Sequence, residues 1–301
     1  MNLVSGSRFF RNALLYLFLT FLLLSCASNP ASTEQQTKAL LWKISAGQLS
    51  QDSYLFGTMH SDDPRVLALS TDVEHAFHQS PQFALEVKLD KASTRAILTQ
   101  MYYRDGQRLN AVVGEALFQK SLTALVKRGI PEKAVVLMKP WAVFMILNMP
   151  KNESGEFMDA ILYQKALEEH KQITGLETLQ EQVNVFDKMK LSTQVALLRS
   201  TLDTEDDINQ MLEETTEVYL SKDLNKILAL NDKYMKLLDP KVRKILTTRL
   251  LLNRNEIMVK RLIPVLKKGR TFIAIGALHL PGEKGVINLL RRRGYTVSPV
   301  Q

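Results

Sequence analysis

The chain has 301 residues, 46% of them hydrophobic, a formal net charge of +8 and a single cysteine. That apolar content supports one large or two small packed domains and excludes a disordered, collagenous or solenoid chain. The basic residues are scattered apart from Arg291–Arg293, without an aromatic-and-basic stripe, so the charge suits an anionic membrane surface and no nucleic-acid partner is expected.

Taken in chain order, Arg8 and Arg11 precede the apolar run "LLYLFLTFLLL" and the small residues Ser25 to Ala27. This is the layout of a secretory signal over residues 1–25, and the run is short for a bilayer span. Cys26 has no second cysteine to pair with, and "LLSC" resembles the lipobox of bacterial lipoproteins. In that motif the cysteine is cut free, acylated and becomes the new N-terminus. Residues 26–39, small and polar, then read as a lipidated flexible tether. By resemblance to enterobacterial lipoproteins, Ala27 after the cysteine implies the outer membrane, with the domain facing the periplasm.

A domain over residues 40–301 follows. "LLWKIS", the turn-like "AGQLSQD" and "SYLFGTMH" predict a hairpin. "DDPRVLALSTDVEHAFHQS" predicts a helix starting near Pro64, and "QFALEVK" a strand. Residues 91–170 read as helical, with breaks near Gly106, Gly129–Pro131 and Pro150. "KQITGLETLQEQV" predicts a short strand before Glu177 and a helix after it. Residues 191–268 are helical again, interrupted at Asp203–Asp207, Asp223 and Asp239-Pro240. The chain ends in "RTFIAIGALH", "GEKGVINLLRRRG" and "YTVSPV", a strand, helix and strand expected to pair in parallel. The fold expected is α/β. Its mixed, largely parallel sheet is built from N- and C-terminal strands and flanked by helices, around a large helical section over about 91–268.

Two stretches share a form: "GTMH" at Gly57–His60 and "GALH" at Gly276–His279, each where a strand runs out. Ligands collect outside the carboxyl ends of parallel strands, and glycine there permits close backbone approach. Neighbouring strands would bring His60 and His279 to one crevice. Glu86 interrupts an otherwise apolar strand, where an unpaired carboxylate is costly. His60, His279 and Glu86 are therefore the candidate ligands of a divalent cation such as Mn, Co or Zn. Glu177 is a further ligand or general base, and Arg254 would orient an anionic substrate group. His75, His78 and His170 fit no such pattern. There is no His-Glu-x-x-His, Gly-x-Ser-x-Gly, phosphate loop or Gly-x-Gly-x-x-Gly.

"YLFGTMHSDDPRV", "FALEV", "GLETLQEQ", "RNEIM" and "FIAIGALHLPGEKGVINLLRRRGYTV" together resemble the TraB/GumN family, which includes pheromone-shutdown proteins and is related to the animal Tiki proteases. The resemblance implies a metal-dependent hydrolase, a peptidase acting on peptides or proteins, on a fold shared with erythromycin esterases and ChaN-like lipoproteins. It carries the family's site onto His60, Glu86, Glu177, Arg254, Asn255 (as substrate-binding) and His279, with Gly57 and Gly276 as motif glycines. The ChaN-like relatives imply an alternative, a non-catalytic envelope lipoprotein binding haem or another ligand.

Overall fold

The computed structural model describes residues 38–88, 90–149, 157–204 and 208–300. The signal segment, Cys26, Ala27 and most of the tether lie outside the described residues. Among the described residues no helix is long and apolar enough to cross a membrane.

Six strands are β1 (Leu41–Ser45), β2 (Ser53–Thr58), β3 (Gln82–Val87), β4 (Gln172–Glu177), β5 (Thr271–Gly276) and β6 (Thr296–Pro299). Between β2 and β4 run α1 (Pro64–Leu67), α2 (Thr71–His78), α3 (Lys91–Gln100), α4 (Leu109–Val113), α5 (Glu115–Lys127), α6 (Glu132–Val135), α7 (Pro140–Leu147) and α8 (Met158–Glu168). After β4 come α9 (Leu179–Asp187), α10 (Leu191–Asp203), α11 (Ile208–Leu220), α12 (Leu224–Met235) and α13 (Pro240–Leu246). A π-helical turn (Thr247–Leu252) leads into α14 (Asn253–Leu266), and α15 (Val286–Arg292) joins β5 to β6.

The chain divides into two compact units. One holds the described residues within 89–151 and 179–211, and the elements named in it are helices. Its centre is α7, "PWAVFMIL", whose eight residues are all buried. The Arg128 guanidinium donates at 2.8 Å to the carbonyls of Ile146, Leu147 and Met149, at and just beyond the C-terminal end of that helix.

The other unit holds the described residues within 38–88, 152–178 and 212–300, and with them the whole sheet. Strand order is β4-β3-β5-β2-β1-β6. β4, β3, β5 and β2 are mutually parallel, whereas β1 is antiparallel to both β2 and β6. Phe77, Phe83 and Phe272 interlock on the sheet with centroids 5.3–6.4 Å apart. Each is at most 1% exposed, and such burial contributes about 1.5–3 kcal/mol per side chain.

The fold is the expected α/β class: a mixed, mostly parallel six-stranded sheet flanked by helices. Two local expectations are corrected. The final strand, helix and strand do not make neighbouring partners, because the β1–β2 hairpin lies between β5 and β6. β6 pairs antiparallel with β1 at the sheet edge, where Pro299 and its missing N–H are tolerated. The helix expected from Pro64 is interrupted: Ala68 and Ser70 are extended, and a second helix, α2, begins after Ser70.

Candidate active site

The carboxyl ends of the four parallel strands gather the residues of interest. β2 and β5 are paired in register, Thr58 opposite Gly276, so the two Gly-x-x-His motifs lie side by side. They also touch: a Cβ on Gly57 would meet the Ala277 Cα at 3.0 Å and its Cβ at 3.1 Å. A side chain there would crowd Ala277, and glycine permits the approach without displacement. β3 ends alongside with Glu86, and β4 ends with Glu177.

Glu86 and Glu177 are each 5% exposed, and Arg254 lies between them, equally buried. The guanidinium grips Glu177 with Nε at 2.9 and 3.1 Å and Nη2 at 2.7 Å, and Nη2 also reaches Glu86 Oε2 at 2.6 Å. Burial opposes the charge on Arg254, but Glu177 and then Glu86 hold it above its ordinary value. The other Glu86 oxygen, Oε1, accepts the Gly276 N–H at 2.8 Å. The glycine of the second motif thus anchors the carboxylate through its backbone.

Asn255, the next residue on α14, is 1% exposed. Its Nδ2 donates to the Lys284 carbonyl at 2.8 Å, which orients the amide so that Oδ1 faces His279 Nδ1 at 2.5 Å. An amide oxygen only accepts, so Nδ1 carries the hydrogen and the Nε2 of a neutral ring carries a lone pair. Burial, then the neighbouring Arg254 charge, push the His279 pKa down to about 3, so the ring is neutral at ordinary pH. That Nε2 lies 3.9 Å from Glu86 Oε1. At that distance the two atoms are neighbours without a hydrogen bond between them.

His60 is held differently. Its Nδ1 lies 2.7 Å from Asp159 Oδ2, and its ring stacks on Phe157 with centroids 5.6 Å apart. The Nδ1–Oδ2 pair meets ion-pair distance without hydrogen-bond alignment, so charge attraction dominates it. Asp159, in the first turn of α8, also accepts the Thr58 hydroxyl at 2.8 Å. Burial disfavours charge on both partners. Asp159 nevertheless raises the His60 pKa, with help from Glu86, and His60 and Thr58 lower that of Asp159.

The two imidazoles and Glu86 therefore share one end of the sheet, but they do not close into a shell as they stand. Among the described residues no group of three or more His, Cys, Asp or Glu is arranged to hold a metal ion. The donor chemistry nonetheless suits one. Both imidazoles are tied at Nδ1, the arrangement that leaves Nε2 for a cation, and Glu86 lies near both. Of the groups named, three carboxylates face one guanidinium and one ionisable imidazole, a negative excess that a cation would offset. Glu177 and Arg254 bind each other, and Asn255 binds His279, so these three hold the candidate ligands Glu86 and His279 in place. Asp159, Thr58 and Phe157 are absent from the sequence reading. Thr58 sits inside the first motif, but only the packing of α8 reveals its partner.

A profile of the TraB/PrgY/gumN family matches residues 40–299. Metalloprotease TIKI2 of Xenopus tropicalis is 23% identical over 88% of this chain and 60% of its own length. Metalloprotease TIKI1 of Danio rerio is 24% identical over 91% of this chain and 65% of its own. The Metalloprotease TIKI homolog of Amphimedon queenslandica is 21% identical over 89% and 62%. The chain thus spans less than two thirds of the length of these curated relatives. No solved structure matches it. The family profile begins just before β1 and ends within β6, taking in both motifs and every residue around them, and the chain belongs to the TraB/PrgY/gumN family.

Proposed function

We propose that this protein is a metal-dependent hydrolase, a peptidase held by lipid on Cys26 at the outer membrane and acting in the periplasm. The observation that carries the hydrolase reading is the convergence of His279 and Glu86, from two different strand ends, with Nε2 and Oε1 3.9 Å apart; imidazole and carboxylate are donors of the kind that hold a divalent cation. His60 and His279 through Nε2, with Glu86, would hold the ion. When bound, a divalent ion such as Mn, Co or Zn supplies polarisation of a substrate carbonyl and acidification of water.

The chain's own residues have separable tasks in this reading. Asn255 fixes the tautomer of His279. Arg254 holds Glu86 in place through the contact at 2.6 Å, and Glu177 fixes Arg254. Peptide or protein as substrate is inferred from relatives that carry the name metalloprotease.

The test is metal analysis of purified protein beside cleavage of a peptide library with added Mn, Co or Zn. We expect stoichiometric metal and turnover, both lost in His279→Ala with the circular dichroism spectrum retained. Metal-free protein that still cleaves peptides would sink the reading. So would absence of cleavage together with a haem-binding absorbance band, the result expected of a ligand-binding envelope protein.

A further inference from the structure

The two strand-end histidines are supported by chemically different groups. His279 leans on a neutral amide oxygen, Asn255 Oδ1 at 2.5 Å, whereas His60 leans on a carboxylate, Asp159 Oδ2 at 2.7 Å. The carboxylate is not an accident of surface charge. Its side chain is 18% exposed, that of His60 only 9%, and its second oxygen takes the Thr58 hydroxyl at 2.8 Å. Thr58 itself is 2% exposed.

A buried ion pair of this kind is weak support for a fold, because apolar residues of similar volume commonly serve stability as well or better. Position gives the better reason. Thr58 is the second residue of the first motif, and Asp159 follows directly on Met158, whose sulfur contacts the Tyr219 hydroxyl at 3.5 Å. That hydroxyl donates to the Gly57 carbonyl at 2.9 Å. The motif backbone, the start of α8 and Asp159 are thus tied into one network around His60, with Phe157 stacked on the ring. A carboxylate on the far nitrogen of an imidazole fixes its orientation and raises its basicity toward a cation at the other nitrogen.

We propose that Asp159, held by the Thr58 hydroxyl, is a positioning residue that orients His60 and strengthens its Nε2 as a metal ligand. This rests on the metal-dependent reading above. It predicts an asymmetric site, in which His60 is the more basic ligand and His279 the more rigidly neutral one.

The experiment is titration of the purified full-length protein with Co²⁺ alone, followed by calorimetry and by the visible absorption of the bound ion. Asp159→Asn keeps an oxygen for Thr58 but removes the charge. We expect it to weaken Co²⁺ binding by about 10–100-fold and to alter the absorption band. Thr58→Val leaves both charged partners in place and should weaken binding by a smaller factor in the same direction. A folded Asp159→Asn protein with wild-type affinity and spectrum overturns the proposal. If Asp159→Asn does not fold, Thr58→Val decides, and unchanged affinity in that variant overturns it. A His60→Ala variant that binds cobalt as tightly as wild type refutes the role of Asp159 while leaving a metal site. Wild-type protein that binds no cobalt, zinc or manganese removes the hydrolase reading and this proposal together.

Discussion

His279 shows how a single buried ring sets a pH dependence. In the native protein its pKa is pushed down to about 3, by burial first and then by Arg254, whereas in the unfolded chain it returns to about 6.5. Below pH 6.5 the unfolded state therefore takes up a proton that the native state refuses, and stability falls as pH falls. The largest slope is about 1.4 kcal/mol per pH unit. His60, with its raised pKa, contributes with the opposite sign, so the comparison must isolate one ring. We expect metal-free wild type to lose about 1.6 kcal/mol more stability than His279→Gln between pH 6.5 and 5. Urea unfolding at both values measures it. Equal losses would mean that native His279 accepts a proton, and the Nε2 lone pair would not exist.

At the scale of elements, the segment that matters most is the join of the π-helical turn Thr247–Leu252 to α14. π turns are rare and concentrate at functional sites. Here the turn ends directly before Asn253, and Arg254 and Asn255, about 100° apart around a helix, reach different members of the same site. Replacing Arg254 by Met leaves Glu86 and Glu177 buried without the guanidinium between them. The expected loss is about 3–5 kcal/mol in chemical denaturation. Arg254→Lys keeps the charge but not the planar fork that holds both carboxylates, and should fall between Met and wild type. A Met variant as stable as wild type would show that the carboxylates do not depend on Arg254. The helices around this join were legible from apolar periodicity and from the interruptions at Asp223 and Asp239-Pro240, whereas the π turn was not. Asp90, Asp223 and Asp239 each cap the helix that follows them. The break after Leu67 was not legible, since Ala68 to Ser70 carry no proline or glycine to announce it.

The whole molecule draws its sheet from distant parts of the chain: the Thr271 N–H donates to the Ser53 hydroxyl 218 positions away. The parallel strands and the two motifs could be read from sequence because each motif repeats a local context. The pairing order could not. Nothing local tells β6 to join β1 rather than β5, a choice made by the hairpin that fills the space between. Asp159 was illegible for the same reason, its meaning lying in a contact with Thr58 101 positions away. At this scale the proposal to be tested is that lipid on Cys26 holds the molecule at a membrane. If the proposed acylation provides the anchor, several acyl chains hold the protein where one would bind only reversibly. Cys26→Ser then removes the attachment atom while leaving the apolar run of residues 14–24 untouched. A short apolar segment acting as an uncleaved anchor would keep the serine variant in the membrane at its precursor mass. Lipidation instead predicts that wild type, but not Cys26→Ser, incorporates labelled fatty acid, and that only wild type is shortened by cleavage before residue 26. Fractionation with mass analysis of the two proteins separates the mechanisms, and an unlabelled wild type at full precursor mass would end the lipid proposal.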